Sequence, residues 1–244
     1  RLPLVSWARN VYKRQLVIYI TFFVVLIASV VYNFLPDFSR GTDVGTNIGN
    51  EIAQSWNTQN PRATYLLMDV PTLQPEMDTP IEGVADSEEM TVKARITRMD
   101  ILVEKKAPAE TSVFSLAFGV LGGSPAVYLL TILGAFSYAA IIVLMFLIIH
   151  SLRRSIRDEL PLNSRNIGRT RLIGALIIFA EVCRAVSLWL MNGKAAELLA
   201  GTDIIIDTSF PISYWNILIG VLVLFTAEVF AIGYRLSEEQ KLTI

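Results

Sequence analysis

Apolar residues along this chain gather into four long blocks separated by polar stretches. The blocks are Leu16 to Leu35, Ala126 to Ile149, Leu172 to Met191 and Ile212 to Tyr234. About 20 mostly apolar residues are needed for a helix to cross roughly 30 Å of hydrocarbon, and each block meets that length. The first two hold no charge, the third holds Glu181 and Arg184, and the fourth holds Glu228. Pro36 and Pro211 stand at block ends, where a missing N–H costs little. The first block is longer than the apolar run of a cleaved signal, and no A-x-A-like site follows it. It therefore reads as an anchor that stays.

The polar stretches set a direction. Residues 1–15 carry Arg1, Arg9, Lys13 and Arg14 without an acid, and the 150–171 loop carries Arg153, Arg154, Arg157, Arg165, Arg169 and Arg171. Residues 36–125 carry 13 acids against 7 bases, and residues 192–211 three acids against Lys194. Basic flanks stay in the cytoplasm, so both termini and the Arg-rich loop are expected inside. Tyr12, Tyr32, Tyr128, Trp189, Tyr214, Trp215 and Tyr234 fall where aromatic belts form.

The 36–125 segment is too long for a plain loop. Val44, Ile48, Ile52 and Trp56 recur every four residues, which predicts a short amphipathic helix. Ala63 to Val70 and Met90 to Val103 predict strands. In the second, Val92, Ala94 and Ile96 alternate with Thr91, Lys93, Arg95 and Thr97. The proline-punctuated acidic stretch from Pro71 to Glu89 predicts an irregular loop. Ser112 to Pro125 is apolar but broken by glycines, and Gly119 with Gly123 forms a GxxxG spacing. The fold class expected is thus an all-α integral membrane protein. It has four transmembrane helices and a small β-containing extracytoplasmic segment between helices 1 and 2. Its divisions are residues 1–35, the cap at 36–125, and helices 2–4 at 126–244.

Composition agrees: 53% of residues are hydrophobic and 18% charged, below the roughly 25% charged of soluble domains. The net charge of −1 gives no reason to expect nucleic-acid binding. Cys183 is the single cysteine, so no internal disulfide can form.

Ionisable groups at membrane depth cost about 2.5–3.5 kcal/mol each on insertion scales, so they need partners. Counted at 1.5 Å per residue, Glu181 and Arg184 lie roughly 15 and 20 Å from Arg171, and Glu228 roughly 10 Å from Arg235. Those depths predict one cluster of Glu181, Arg184 and Glu228 between the third and fourth spans. Small residues on the same faces, Gly174 and Ser187 against Gly220, Ala227 and Ala231, predict that these spans pack closely. The cluster reads first as a structural ion pair and second as a proton or ion relay.

His150 is the lone histidine and reads as a boundary residue. It has no Cys, His or Asp neighbours for a metal and no distant triad partner. No cofactor motif and no set of convergent nucleophiles and bases is present, which points away from an enzyme.

Three stretches carry a family resemblance. They are Asn163-Ser164-Arg165-Asn166-Ile167-Gly168-Arg169, Ala227-Glu228-Val229-Phe230 followed by Gly233, and the ending Leu236-Ser237-Glu238-Glu239-Gln240-Lys241-Leu242-Thr243-Ile244. On these the chain resembles the domain-of-unknown-function 2975 family of bacterial four-span membrane proteins. That family has no assigned reaction, and its genes often lie beside small helix-turn-helix regulators. The resemblance implies a cytoplasmic protein partner, with Arg153, Arg154, Arg157, Arg165, Arg169, Glu238 and Glu239 as the surface available for it. The leading expectation is a non-enzymatic sensor or regulatory partner. The alternatives are an accessory subunit of a larger membrane complex and a small transporter or channel using the intramembrane charges.

Overall fold

The computed structural model describes residues 62–73, 79–80, 93–106, 118–157 and 164–242, with scattered helical residues between 21 and 54. The chain divides into two compact units, residues 1–59 and 60–244. In the first unit Thr21, Val24, Val25 and Ala28 are helical. The other positions of the predicted first span lie outside the described residues. So do Val44, Ile48, Ile52 and Trp56, although neighbours from Thr42 to Gln54 are helical and exposed.

In the second unit the order is β1 (Arg62–Pro71), β2 (Thr79–Pro80), β3 (Lys93–Ala94), β4 (Arg98–Lys106), α1 (Pro125–Arg157), α2 (Ser164–Leu198) and α3 (Tyr214–Leu242). Stretches within the three helices, Pro125–Ser151, Ser164–Leu198 and Tyr214–Leu236, are long and apolar enough to cross a membrane. They match the second, third and fourth predicted spans. α2 lies between the other two: 39% of its most apolar stretch is buried, against 11% for each flanking helix. Phe136, Val143 and Phe146 on α1, and Leu222, Phe225 and Ile232 on α3, are exposed. Such large apolar side chains suit a hydrocarbon solvent.

Local chemistry sets the helix starts. Pro125 opens α1 where no N–H is needed, and Ser124 Oγ accepts from Ala126 N at 3.3 Å, an N-cap with proline at the first helical position. Ser213 caps α3, its Oγ accepting from Asn216 N at 3.4 Å. Gly174 and Gly220 let α2 and α3 touch. A Cβ on Gly174 would lie 2.9 Å from Gly220 O, and one on Gly220 would lie 2.5 Å from Ile178 Cγ1. The expected close packing of these helices is therefore present.

β1 and β4 form an antiparallel pair, and β2 pairs with β3. The second predicted strand is broken in two, Lys93–Ala94 forming β3 and Arg98–Lys106 forming β4. Arg95 to Thr97 are exposed and outside any strand, while Met99, Ile101 and Val103 of β4 turn inward. Between Leu67↔Ile101 and Val70↔Met99 the register shifts, so Met68 and Asp69 face one partner residue, Asp100. Asp69 takes φ 57° there, a left-handed value that aspartate tolerates. Its N–H donates to Asp100 Oδ1 at 2.8 Å. The extra residue keeps both Leu67 and Val70 pointing inward, three positions apart, where strict alternation would send one outward.

The other edge of β1 is also occupied. Leu66 N donates to Val120 O, and Gly122 N to Leu66 O. Further along, Leu73 N donates to Ile205 O, and Asp207 N to Pro71 O. A small core forms beneath, from Leu67 and Val70 of β1, Val127 of α1, Met191 and Ala195 of α2, and Ile206. Lys194 of α2 donates to Gly123 O at 2.7 Å and lies 4.8 Å over the Tyr65 ring. Gly122 and Gly123 have φ of 64° and 61°, a tight left-handed turn that glycine permits. Gly119 and Gly123 therefore do not form the helical GxxxG face their spacing suggested.

Candidate functional site

Among the described residues the most buried charge is Glu181, 0% exposed on α2. A carboxylate taken out of water needs nearly every lone pair filled, and four donors reach this one. Arg184 Nε and Nη2, one turn along the same helix, donate at 3.0 and 2.5 Å. Ser213 N donates at 2.6 Å and Asn216 Nδ2 at 2.8 Å. The last two belong to the first turn of α3, where the helix dipole also favours negative charge. Arg184 Nη2 in turn donates to Pro211 O at 2.7 Å. One carboxylate thus fastens α2 to the N-terminus of α3 and to the loop before it.

Glu228 is elsewhere. Arg171 Nε and Nη2 bind its two oxygens at 2.8 and 2.9 Å, a fork-to-fork geometry. The expected three-residue cluster is therefore corrected to two separate pairs. α2 and α3 run antiparallel, so the start of α3 meets Glu181 while Glu228 meets the start of α2. The depth count failed because it set Arg171 and Arg235 at one level. The observed pairing puts Glu228 level with Arg171, and Glu181 about ten residues, or roughly 15 Å, beyond.

Of the expected cytoplasmic surface, Arg169 Nη1 donates to Leu147 O and Asn166 Oδ1, both at 3.1 Å. It thereby ties the start of α2 to α1. Arg165 is exposed in the first turn of α2, and Glu238 and Glu239 are exposed near the end of α3. The side chains of Arg153, Arg154 and Arg157 lie outside the described residues. His150 is exposed on α1.

A cleft of about 310 Å³ opens beside Arg184, lined by Asp69, Pro71, Arg98, Leu188, Asn192 and Pro211 to Ser213. Its strand wall carries an ion pair, Arg98 Nη1 to Asp69 Oδ2 at 2.6 Å, with both side chains about half exposed or more. Its helix wall carries Arg184 and Asn192. Asn192 is 1% exposed, and its buried Oδ1 accepts no hydrogen bond among the described residues. Sequence reasoning missed this cleft. One signal was available: Arg184, Leu188 and Asn192 are spaced by four on one face of α2. Nothing in the sequence pairs Asp69 with Arg98, because that contact depends on the bulge.

Three apolar helices carrying a small sheet at one end define a membrane protein. A family model described as a protein of unknown function, DUF2975, matches residues 56–244, and the chain belongs to that family. No curated protein and no solved structure matches it.

Proposed function

We propose that the protein is a non-enzymatic sensor of the bacterial inner membrane that acts on a cytoplasmic protein. In this reading a fourth span lies at Leu16 to Leu35, both termini are cytoplasmic, and the sheet faces outward. The observation that carries it is the double attachment of β1. One strand of the sheet is hydrogen-bonded both to the turn that opens α1 and to the loop that opens α3. A displacement of the sheet is then transmitted to helix starts on both sides of α2. The two ion pairs hold helices and loops together, which favours a structural role for the membrane charges over an ion pathway.

The test is crosslinking of the tagged full chain in native membranes, followed by identification of the captured chains. A cytoplasmic protein should be captured and should be lost when Arg165 and Arg169 are changed to Glu or the Glu238–Ile244 tail is removed. Capture of no cytoplasmic chain, or capture of only integral membrane chains, would reject the reading. The second outcome would favour an accessory subunit instead.

A further inference from the structure

Side-chain contacts fix the relative heights of the three helices. Leu147 O of α1 accepts from Arg169 of α2, and 13 residues earlier a Cβ on Gly134 would lie 3.9 Å from Cys183. Glu228 of α3 meets Arg171, and Asn216 meets Glu181. At 1.5 Å per residue, Arg165 and Arg235, near the basic ends of α2 and α3, both lie about 10 Å below Arg171. Arginines mark where a span leaves the hydrocarbon. A hydrocarbon layer of roughly 30 Å then ends about 20 Å above Arg171, which is the height of Arg184. Counting back along α3 from Glu228 puts Tyr214 roughly 21 Å above Arg171, at the same height. Tyr214 and Trp215 are exposed there, as aromatic side chains at headgroup level are. The charged ends and the aromatic belt therefore set the same boundary.

The sheet reaches down to that boundary. The start of β1 is held above it, where Lys194 covers the Tyr65 ring at 4.8 Å. Lys194 follows Arg184 on α2 by ten residues, or about 15 Å. The end of β1 comes down beside Arg184, with Pro71 and Pro211 lining the same cleft. Two residues past Pro71, Leu73 N donates to Ile205 O. Thr72 donates from its N–H to Thr97 O and from its hydroxyl to Ile96 O. Phe210 precedes Pro211, whose carbonyl accepts from Arg184, and its ring meets Trp189 edge-on at 6.3 Å. Leu73, Ile96, Ile205 and Phe210 thus form an apolar rim at the height where the hydrocarbon ends, each 42–58% exposed.

We propose that this rim is a lipid-binding surface, seated among the headgroups of the leaflet on the sheet's side of the membrane. The rim belongs to strand and loop rather than to a span, so crossing the bilayer does not account for its large apolar side chains. An interfacial element buries such side chains at the boundary between headgroups and acyl chains. Backbone leaving water must be hydrogen-bonded within the protein, and here Thr72 N, Leu73 N and Pro71 O all have backbone partners. The Arg98–Asp69 pair beside the rim suits the polar side of the same boundary. Because β1 is also bonded to the turns that open α1 and α3, the leaflet and both helix starts are joined through one strand. The proposal goes beyond the sensor reading and needs no cytoplasmic partner, so a failed capture experiment leaves it standing.

The test places spin labels on the full chain in nanodiscs of phosphatidylglycerol and phosphatidylethanolamine. In a Cys183→Ala background, Leu73→Cys and Ile205→Cys report on the rim. Trp215→Cys serves as the reference for the aromatic belt, and Lys105→Cys, exposed on β4 opposite Ala63, as the reference for water. Power saturation then compares collisions with oxygen, which concentrates in lipid, and with a water-soluble nickel chelate. Labels at 73 and 205 should favour oxygen as the label at 215 does, with nickel collisions several-fold below those at 105. Ile96→Cys repeats the reading if either rim variant fails to fold. Nickel collisions at the rim as frequent as at 105 would place it in water and overturn the proposal. Shielding from both reagents would also overturn it, because protein rather than lipid would then cover the rim.

Discussion

Two ion pairs of the same chemical type lie along α2, one near its start and one at its middle, yet they do different physical work. Beside Arg184 the carboxylate is fully buried and receives four hydrogen bonds from α2 and from the start of α3. Near the start of α2 the Glu228 side chain is 57% exposed, and among the described residues only Arg171 hydrogen-bonds to it. Geometry is good in both, so the distance between charges does not separate them. What separates them is the number of groups left stranded when the acid is removed. Burial among four donors makes one acid–base contact a structural node, whereas the other is a single bidentate cross-link.

The sharpest way to break this comparison is Glu181→Ala. It strands Arg184, Ser213 N and Asn216 in a buried setting, and removal of one partner of a buried pair costs about 3–5 kcal/mol. Unfolding in mixed micelles should show that loss, and a loss no greater than that of Glu228→Ala would refute the distinction. Gly174→Ala comes next. Its Cβ would press on the Gly220 carbonyl at 2.9 Å, a backbone atom that cannot swing aside, so overpacking should cost about 1–3 kcal/mol. An unchanged melting temperature would mean that α2 and α3 stand further apart.

Asn192→Leu should move stability the other way. It removes an unpaired buried acceptor worth about 1–3 kcal/mol of penalty, so the protein should melt higher. A lower melting temperature would show that the amide has a partner. Arg171→Gln should cost less than Glu181→Ala, because it breaks one bidentate contact rather than a four-donor seat. A larger loss would place that pair in a drier setting.

The smallest effect concerns pH. The Ser209 backbone N–H, donating to Asp207 Oδ1 at 2.9 Å, holds the Asp207 carboxyl below its usual range. A depressed folded-state value contributes stability above the ordinary carboxylate range, and that contribution is lost as pH falls through the folded value. Asp207→Asn should therefore flatten the acid limb of a melting-temperature profile slightly and leave neutral pH nearly unchanged.

Membrane spans were the most legible feature, because three of them are long uninterrupted apolar runs whose limits need no tertiary information. The Gly174–Gly220 approach was legible too, from small residues sharing a helix face. The partners of the charges were only half legible. Glu181 and Arg184 are one turn apart and could be paired by helical geometry alone. Glu228 could not be assigned, since choosing between Arg171 and Arg184 requires the vertical offset of two antiparallel helices. The strand after residue 90 was read as continuous but breaks at Arg95 to Thr97, because alternation alone says nothing about where a partner strand runs alongside. The cleft was hidden for a related reason. Its strand wall depends on a bulge at Met68 and Asp69, and bulges leave no periodic trace.

The four-donor seat of Glu181 also has a consequence for biogenesis. Ser213 and Asn216 follow the carboxylate by 32 and 35 residues, so they emerge from the ribosome well after this acid. Arg184 follows by three and travels in the same helix. It thus acts as an escort, lowering the cost of passing an acid into lipid until α3 arrives to complete the seat. Loss of Arg184 should accordingly reduce the amount of chain inserted before it alters the chain that succeeds.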